Sequence, residues 1–152
     1  MRDSKRFYSS IFEVAKEYFH CDLVAFSRVD KEANQYVHWF LSSHSLEADT
    51  FRSPFNPGTF CNRVVTSQEL FTVNSLASGP ASITCPMMVA EGFDSYMGAP
   101  IFNSGECIGA FEVFCINARV WSQEEKKMAL KCATIVETLV KTGHVELSAL
   151  QA

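Results

Sequence analysis

Two cysteines and one glutamate stand out as residues whose type and setting could do chemistry. Cys61 follows Thr59 at the start of one short helical segment, and Cys85 directly precedes Pro86 at the start of the next. A helix N-terminus offers unpaired N–H groups and the positive end of the peptide dipoles, and both favour the thiolate, the nucleophilic form of cysteine. The two are therefore the best-placed thiols for redox chemistry, which needs a pair able to approach within disulfide range. The competing reading is plain packing, because cysteine is among the most buried residue types. Cys21, Cys107, Cys115 and Cys132 are read that way. No two of the six cysteines form a CxxC pair, so the usual zinc-site spacing is missing.

Glu112 lies in the middle of an apolar strand. Alternation sends Cys107, Gly109, Phe111, Val113 and Cys115 to one face and Ile108, Ala110, Glu112 and Phe114 to the other. The first set suits packing under helices. A half-buried carboxylate in the second needs a hydrogen-bond partner or a cation. Two readings stand. The face is solvated or Glu112 pairs with an Arg, or it looks into a pocket whose walls are mostly apolar. Met87 and Met88 could line such a pocket, or one is core and the other exposed. Phe26, Tyr36, Trp39 and Phe71 are core or pocket, and the sequence leaves both open. His20, His38 and His44 share no metal-ligand spacing and His144 is near the C-terminus, so the histidines read as solvated or core-edge residues.

The elements that must position these residues follow from periodicity. Ser4 to Phe19 reads as an amphipathic helix with Phe7, Ile11, Ala15 and Tyr18 in its stripe, Phe12 and Phe19 beside it, and Asp3 or Ser4 as cap. Leu23–Val29 and Gln35–Leu41 form a hairpin around the polar turn 30–34. Ser42 to Pro57 is irregular, with Pro54, Pro57 and Gly58 as breakers. A short helix covers Thr59 to about Thr66, and Leu70–Val73 is a short strand. Asn74–Thr84 is a surface loop, and Pro86–Glu91 a helix stopped by Gly92. Ser95–Phe102 and Cys107–Cys115 form a second hairpin. Ser122 and Glu125 fit a capping box that opens the last helix. Its apolar stripe is Ala129, Cys132, Ala133, Val136, Leu139 and Val140, and Gly143 stops it. Strands joined as hairpins with helices at both ends indicate an α+β domain on an antiparallel sheet. Residues 1–143 are read as one domain and 144–152 as a tail or the start of a linker.

Length and composition agree. A chain of 152 residues is one domain's worth, with 47% apolar and 20% charged residues and a net charge of −4. No basic block marks a nucleic-acid footprint, no apolar run approaches a membrane span, and the charged N-terminus lacks a signal peptide's apolar core. The expected setting is the cytoplasm, with reduced thiols. Thirteen Phe suggest a thick core or a lined pocket.

The ordered set Gly92-Phe93-Asp94-Ser95-Tyr96-Met97-Gly98-Ala99-Pro100-Ile101, Gly105-Glu106-Cys107-Ile108-Gly109-Ala110-Phe111 and Arg119-Val120-Trp121-Ser122-Gln123-Glu124-Glu125 resembles a GAF domain. It matches that family's "Y-x-G-x-P" strand, "IG" strand and "R-x-W/F-S/T-x-E-E" helix start, and Pro57-Gly58-Thr59-Phe60-Cys61 fits another helix start of sensory members. The resemblance runs from about Phe7 to Lys141. It implies a sheet of five or six strands, terminal helices on one face, and a ligand cavity under short helices and loops on the other. It also implies a sensory role in signal-transduction proteins such as two-component systems. The expected partners are a small-molecule ligand, a second copy joined through the terminal helices, and a C-terminal effector domain. No Cys-His dyad of the bilin-binding type is present, and the sequence names no cofactor or metal.

A second resemblance is to the free methionine-(R)-sulfoxide reductase branch of the family. Cys85 lies 24 residues beyond Cys61, as the two cysteines do there. By that resemblance Cys85 would attack the sulfoxide sulfur and Cys61 would form the disulfide. Phe51 stands about where the branch has a further Cys, Glu91 is one place off its Glu, and Phe114 replaces the second of two acidic residues on the last strand. The primary reading is thus a non-catalytic, ligand-binding or redox-responsive sensor, with the thiol enzyme as the alternative. The pocket is expected to draw on Phe26, Cys61, Phe71, Cys85, Met88, Tyr96, Glu112 and Phe114. Its ligand is expected to order Asn74–Gly92 and bias the terminal helices.

Overall fold

Apolar strands linked by short polar turns pair with their neighbours in antiparallel fashion, and here all of them join one sheet. The computed structural model describes residues 2–42, 49–55, 58–79 and 86–141. The elements run α1 (Arg2–Phe19), β1 (Leu23–Asp30), β2 (Gln35–Ser42), β3 (Asp49–Pro54), α2 (Phe60–Ser67), β4 (Phe71–Val73), α3 (Pro86–Glu91), β5 (Ser95–Asn103), β6 (Glu106–Cys115) and α4 (Gln123–Lys141). The six strands lie in the order β3-β2-β1-β6-β5-β4. β1 and β6 pair at the centre, Ala25 opposite Glu112, and so join the two hairpins.

Alternation divides the residues between two apolar clusters. Val24 and Phe26 of β1, Val37, Trp39 and Leu41 of β2, Met97, Ala99 and Ile101 of β5, and Phe111 and Val113 of β6 face α1 and α4. The opposite face carries Ala25, Tyr96, Ala110 and Phe114, packed against Phe60 and Val64 of α2 and Met88 of α3. The expected α+β architecture is therefore present, with terminal helices on one face and short helices on the other.

Caps and turns place the elements. Thr59 Oγ1 accepts from Asn62 N (3.3 Å), which puts Cys61 in the first turn of α2. The capping box of α4 is complete, since Ser122 N donates to Glu125 Oε1 (2.9 Å) and Glu125 N donates to Ser122 Oγ (3.1 Å). α3 ends at Gly92, whose φ of +80° suits a residue without a Cβ. Arg119 donates to the Phe19 carbonyl (2.6 Å), pairs with Glu125 and lies over the Trp121 ring, 4.4 Å from its centroid. Trp121 Nε1 in turn donates to the Val73 carbonyl (3.2 Å). The Arg-x-Trp-Ser-x-x-Glu run is thus a clasp joining the end of α1, the start of α4 and β4.

Several expectations are corrected. Residues 49–54 form the edge strand β3, because their backbone pairs with β2 despite a polar composition. α1 begins at Arg2, so Asp3 and Ser4 lie within it and do not cap it. Its buried stripe is Phe12, Ala15 and Phe19, and Tyr18 is 43% exposed. Ile108 packs with the helix-covered cluster, because a register shift between Ile101 and Phe102 breaks the alternation at that point. The β5–β6 turn is shorter than read, two residues with positive φ, Ser104 and Gly105. Gly143 and the tail fall outside the described residues.

Candidate functional site

β1, β2, β3 and β6 place alternate residues on the face away from the terminal helices, and a cavity of about 410 Å³ opens there. Its floor is Leu23 and Ala25 of β1 with Glu112 of β6. Small Ala25, between Glu112 and Phe40 in the register, leaves the space. One wall is aromatic from β2 and β3. Phe51 stacks on His38 (centroids 4.4 Å apart, 21° between planes) and meets Phe40 edge-on at 5.5 Å. The opposite wall is Phe114 with Phe93 (5.4 Å) and Met88. Asp49 of β3 and Glu91 of α3 add two exposed carboxylates to the lining. Among the described residues no Lys or Arg lines the cavity.

Behind Phe114 the aromatic packing continues. Tyr96 contacts Phe114 (5.1 Å) and Phe60 (5.0 Å), Phe60 contacts Phe71 (5.2 Å), and the Arg63 guanidinium sits 4.7 Å from the Phe71 centroid. Gly98, opposite both Glu112 and Phe71 in the register, makes room for this. A Cβ there would collide with the Tyr96 hydroxyl and come within 2.8 Å of Val64 Cγ2.

Glu112 is 2% exposed and fully engaged. Ser27 Oγ donates to Oε1, and Tyr96 Oη donates to Oε2 at 2.5 Å. Burial pushes the carboxyl up to about 7, against the two hydrogen bonds that favour its charged form. Ser27 Oγ also meets His38 Nδ1 at 2.6 Å, and His38 Nε2 meets Ser53 Oγ at 2.7 Å. Burial holds His38 down at about 4, so the imidazole is neutral near neutral pH. A polar row, Ser53–His38–Ser27–Glu112–Tyr96, thus crosses the sheet from its edge into the apolar cluster. Beside it, Tyr36 Oη donates to Asn62 Oδ1 (2.7 Å), with its phenol pushed up chiefly by burial.

Of the expected pocket residues, Met88, Glu112 and Phe114 line the cavity. Tyr96 reaches it through Glu112, and Phe71 packs one layer behind. Cys61 is buried in α2 but is not among the lining residues. Phe26 lies on the opposite face with the terminal helices, since alternation along β1 turns Ala25 and Ser27, not Phe26, toward the cavity. Cys85 falls outside the described residues, as do His44 and His144. Ser27 and His38 were not foreseen as site residues, although alternation on β1 and β2, set by the hairpin register, carries the signal. Among the described residues no three His, Cys, Asp or Glu gather as a metal site. No described helix is long and apolar enough to cross a membrane.

The GAF domain family profile matches residues 3–140. Among solved structures, the GAF domain of an Acinetobacter phosphoenolpyruvate-protein phosphotransferase superposes with a TM-score of 0.72 at 10% identity, covering 88% of this chain and 80% of that one. The free methionine-R-sulfoxide reductase of Neisseria meningitidis, solved with its substrate, gives 0.66 at 21% identity, covering 86% and 73%. The type II enzyme of Thermoplasma acidophilum gives 0.66 at 19% identity, covering 95% and 96%. No curated protein sequence matches the chain.

Proposed function

The chain belongs to the GAF domain family, and from that premise we propose that it is a cytoplasmic sensory domain holding a small organic cation in the cavity on its sheet. One observation carries the reading. The cavity is walled by Phe40, Phe51, Phe93 and Phe114 and bordered by Asp49, Glu91 and Glu112, with no Lys or Arg among its described lining residues and His38 held neutral by burial. Ring faces attract cations, by about 0.5–2 kcal/mol each depending on solvation. Carboxylates add Coulomb attraction and repel anions, which disfavours nucleotides and other phosphates. A cavity of about 410 Å³ falls within the ordinary range for small-molecule sites.

Output would run through the terminal helices, which share the sheet with the cavity. Val14 on α1 and Leu130 and Ile135 on α4 are large apolar residues left exposed, and they support pairing of two copies through these helices. Light scattering tests this, and a monomer at micromolar concentration would refute it. Ligand binding is tested by thermal shift and calorimetry with benzyltrimethylammonium, benzylamine, benzyl alcohol and phenylacetate. Stabilisation by the two cations alone supports the reading, and equal responses to all four reject the charge selection.

A second reading rests on Cys61, placed in the first turn of α2 behind the Thr59 cap, and on Cys85 at its 24-residue spacing. In a methionine sulfoxide reductase-like cycle, the Cys85 thiol takes the sulfoxide oxygen as a sulfenic acid and releases the thioether. Cys61 then condenses with that sulfenic acid, forming the disulfide and water, and an external dithiol reduces it. A thioredoxin-coupled assay with free methionine-R-sulfoxide decides the matter. Absence of turnover at high enzyme removes this reading.

A further inference from the structure

We propose that Ser53, His38 and Ser27 form a proton path from the edge strand β3 to Glu112, so that the domain senses protons through the polarity of this row as well as through its ligand. The inference goes beyond the ligand reading and does not depend on which molecule fills the cavity.

The geometry is continuous. Ser53 is half-buried on the edge strand, while His38 and Glu112 are 5% and 2% exposed. Ser53 Oγ to His38 Nε2 is 2.7 Å and His38 Nδ1 to Ser27 Oγ is 2.6 Å, and Ser27 hydrogen-bonds Glu112 directly. Each bridging group can both donate and accept. When Glu112 is ionised, only one arrangement satisfies the row. Ser27 donates to Oε1, His38 Nδ1–H donates to Ser27, and Ser53 donates to the bare Nε2. Every bond then points toward the carboxylate.

A proton arriving at Ser53 can therefore be passed on without any heavy atom moving. Ser53 gives its hydrogen to Nε2, Nδ1 gives its hydrogen to Ser27, and Ser27 gives its hydrogen to Oε1. One proton enters at the edge and one appears on Glu112. His38 ends neutral, with its hydrogen on Nε2 instead of Nδ1, and every bond of the row is reversed. Tyr96 donates to Oε2 in both states. With the cavity occupied, this row remains as a route by which the buried carboxyl can exchange its proton.

The other polar groups around the row leave this logic intact. Asp49 of β3 and Glu91 of α3 line the cavity beside His38 and Glu112, and Phe51 stacks on the His38 ring. Arg52 of β3 is paired with Asp30 of β1 (3.0 Å), and Arg63 of α2 lies over Phe71. Tyr36 of β2 is hydrogen-bonded to Asn62 of α2, near Cys61. β5 contributes Tyr96. Burial supports the exchange, since it brings Glu112 to about 7 while keeping His38 neutral down to about 4.

The test is ¹⁵N NMR of the histidine rings in the whole chain between pH 5 and 9, with His38 assigned by its loss in His38→Gln. His38 is expected to remain neutral, with Nε2–H at low pH and Nδ1–H at high pH. The midpoint should coincide with the Glu112 carboxyl titration followed by ¹³C. In Ser27→Ala the tautomer should no longer follow the carboxyl. In Glu112→Gln, which cannot ionise, a single neutral tautomer should persist throughout. A single tautomer across the range in the parent chain overturns the proposal. So does an imidazolium appearing between pH 5 and 7, or a pH-dependent tautomer in Glu112→Gln. The last variant keeps the polar row filled and decides the question even if Ser27→Ala fails to fold.

Discussion

Glu112 and His38 are buried titratable groups displaced in opposite directions, and their effects on stability should cancel until one is removed. Glu112 rises from 4.5 to about 7 on folding, so the native state binds its proton more readily. Its contribution is full below about pH 4.5 and is lost as pH rises through about 7. His38 falls from 6.5 to about 4, so its contribution is full above about pH 6.5 and is lost as pH falls through about 4. Each bound proton is worth about 1.4 kcal/mol per pH unit. Between pH 7 and pH 5, Glu112 should add about 2 kcal/mol of stability, since it is already half protonated at pH 7, and His38 should remove about 2, leaving the parent chain nearly flat. Glu112→Gln should lose about 2 kcal/mol over that interval, and His38→Gln should gain about 2. The paired carboxylates Asp30, Asp94 and Glu125 are held below their ordinary range and lose their contributions only in more acidic solution. Urea unfolding at half-unit pH steps measures all three proteins. Parallel curves for both variants would refute the assignment of the two groups, as would slopes of the reverse sign.

Other substitutions test single parts of the structure. Tyr96→Phe removes the donor to Glu112 Oε2 (2.5 Å) and should cost about 1.5–3 kcal/mol above pH 7, less at pH 5, and move the carboxyl titration upward. Gly98→Ala should destabilise by about 1–3 kcal/mol through overpacking against Tyr96 and Val64, and cavity ligands should bind more weakly as Tyr96 shifts; an unchanged melting curve would contradict the packing. Ser122→Ala should cost about 1 kcal/mol by opening the α4 capping box, measured by urea unfolding. Arg119→Ala should cost more than that cap, because it releases the Phe19 carbonyl and the Glu125 carboxylate together, and amide exchange should accelerate first at the end of α1.

Local pattern carried the hairpins, the capping box and the short helices, because each is set by neighbours in sequence. β3 was illegible for the opposite reason. Asp49–Pro54 is polar and exposed, and only pairing with β2 makes it a strand. The periodic stripe of α1 lies one residue out of phase with the buried one, since Tyr18 and Phe19 are both aromatic and tertiary packing alone selects Phe19. A strict two-residue period puts Ile108 on the cavity face, and the bulge in the β5–β6 pairing turns it to the helix face instead. At the site, alternation on one strand sufficed for Glu112 and Phe114. Phe26 belongs to the helix face because the pairing of Ala25 with Glu112 and of Phe26 with Phe111 fixes the parity of β1, which the sequence of β1 alone does not show. His38, Ser27, Asp49 and Phe51 needed the register of three strands at once, which only the folded sheet supplies.

The most direct measurement is calorimetric titration of the whole chain with benzyltrimethylammonium at pH 8, beside Met88→Trp, which fills the cavity, and Glu112→Gln, which removes the buried charge. Saturable binding to the parent chain is expected, with loss in Met88→Trp and at least about tenfold weakening in Glu112→Gln, the loss of roughly 1.4 kcal/mol of ion pairing. Binding that persists unchanged in both variants would place the ligand elsewhere and contradict the account.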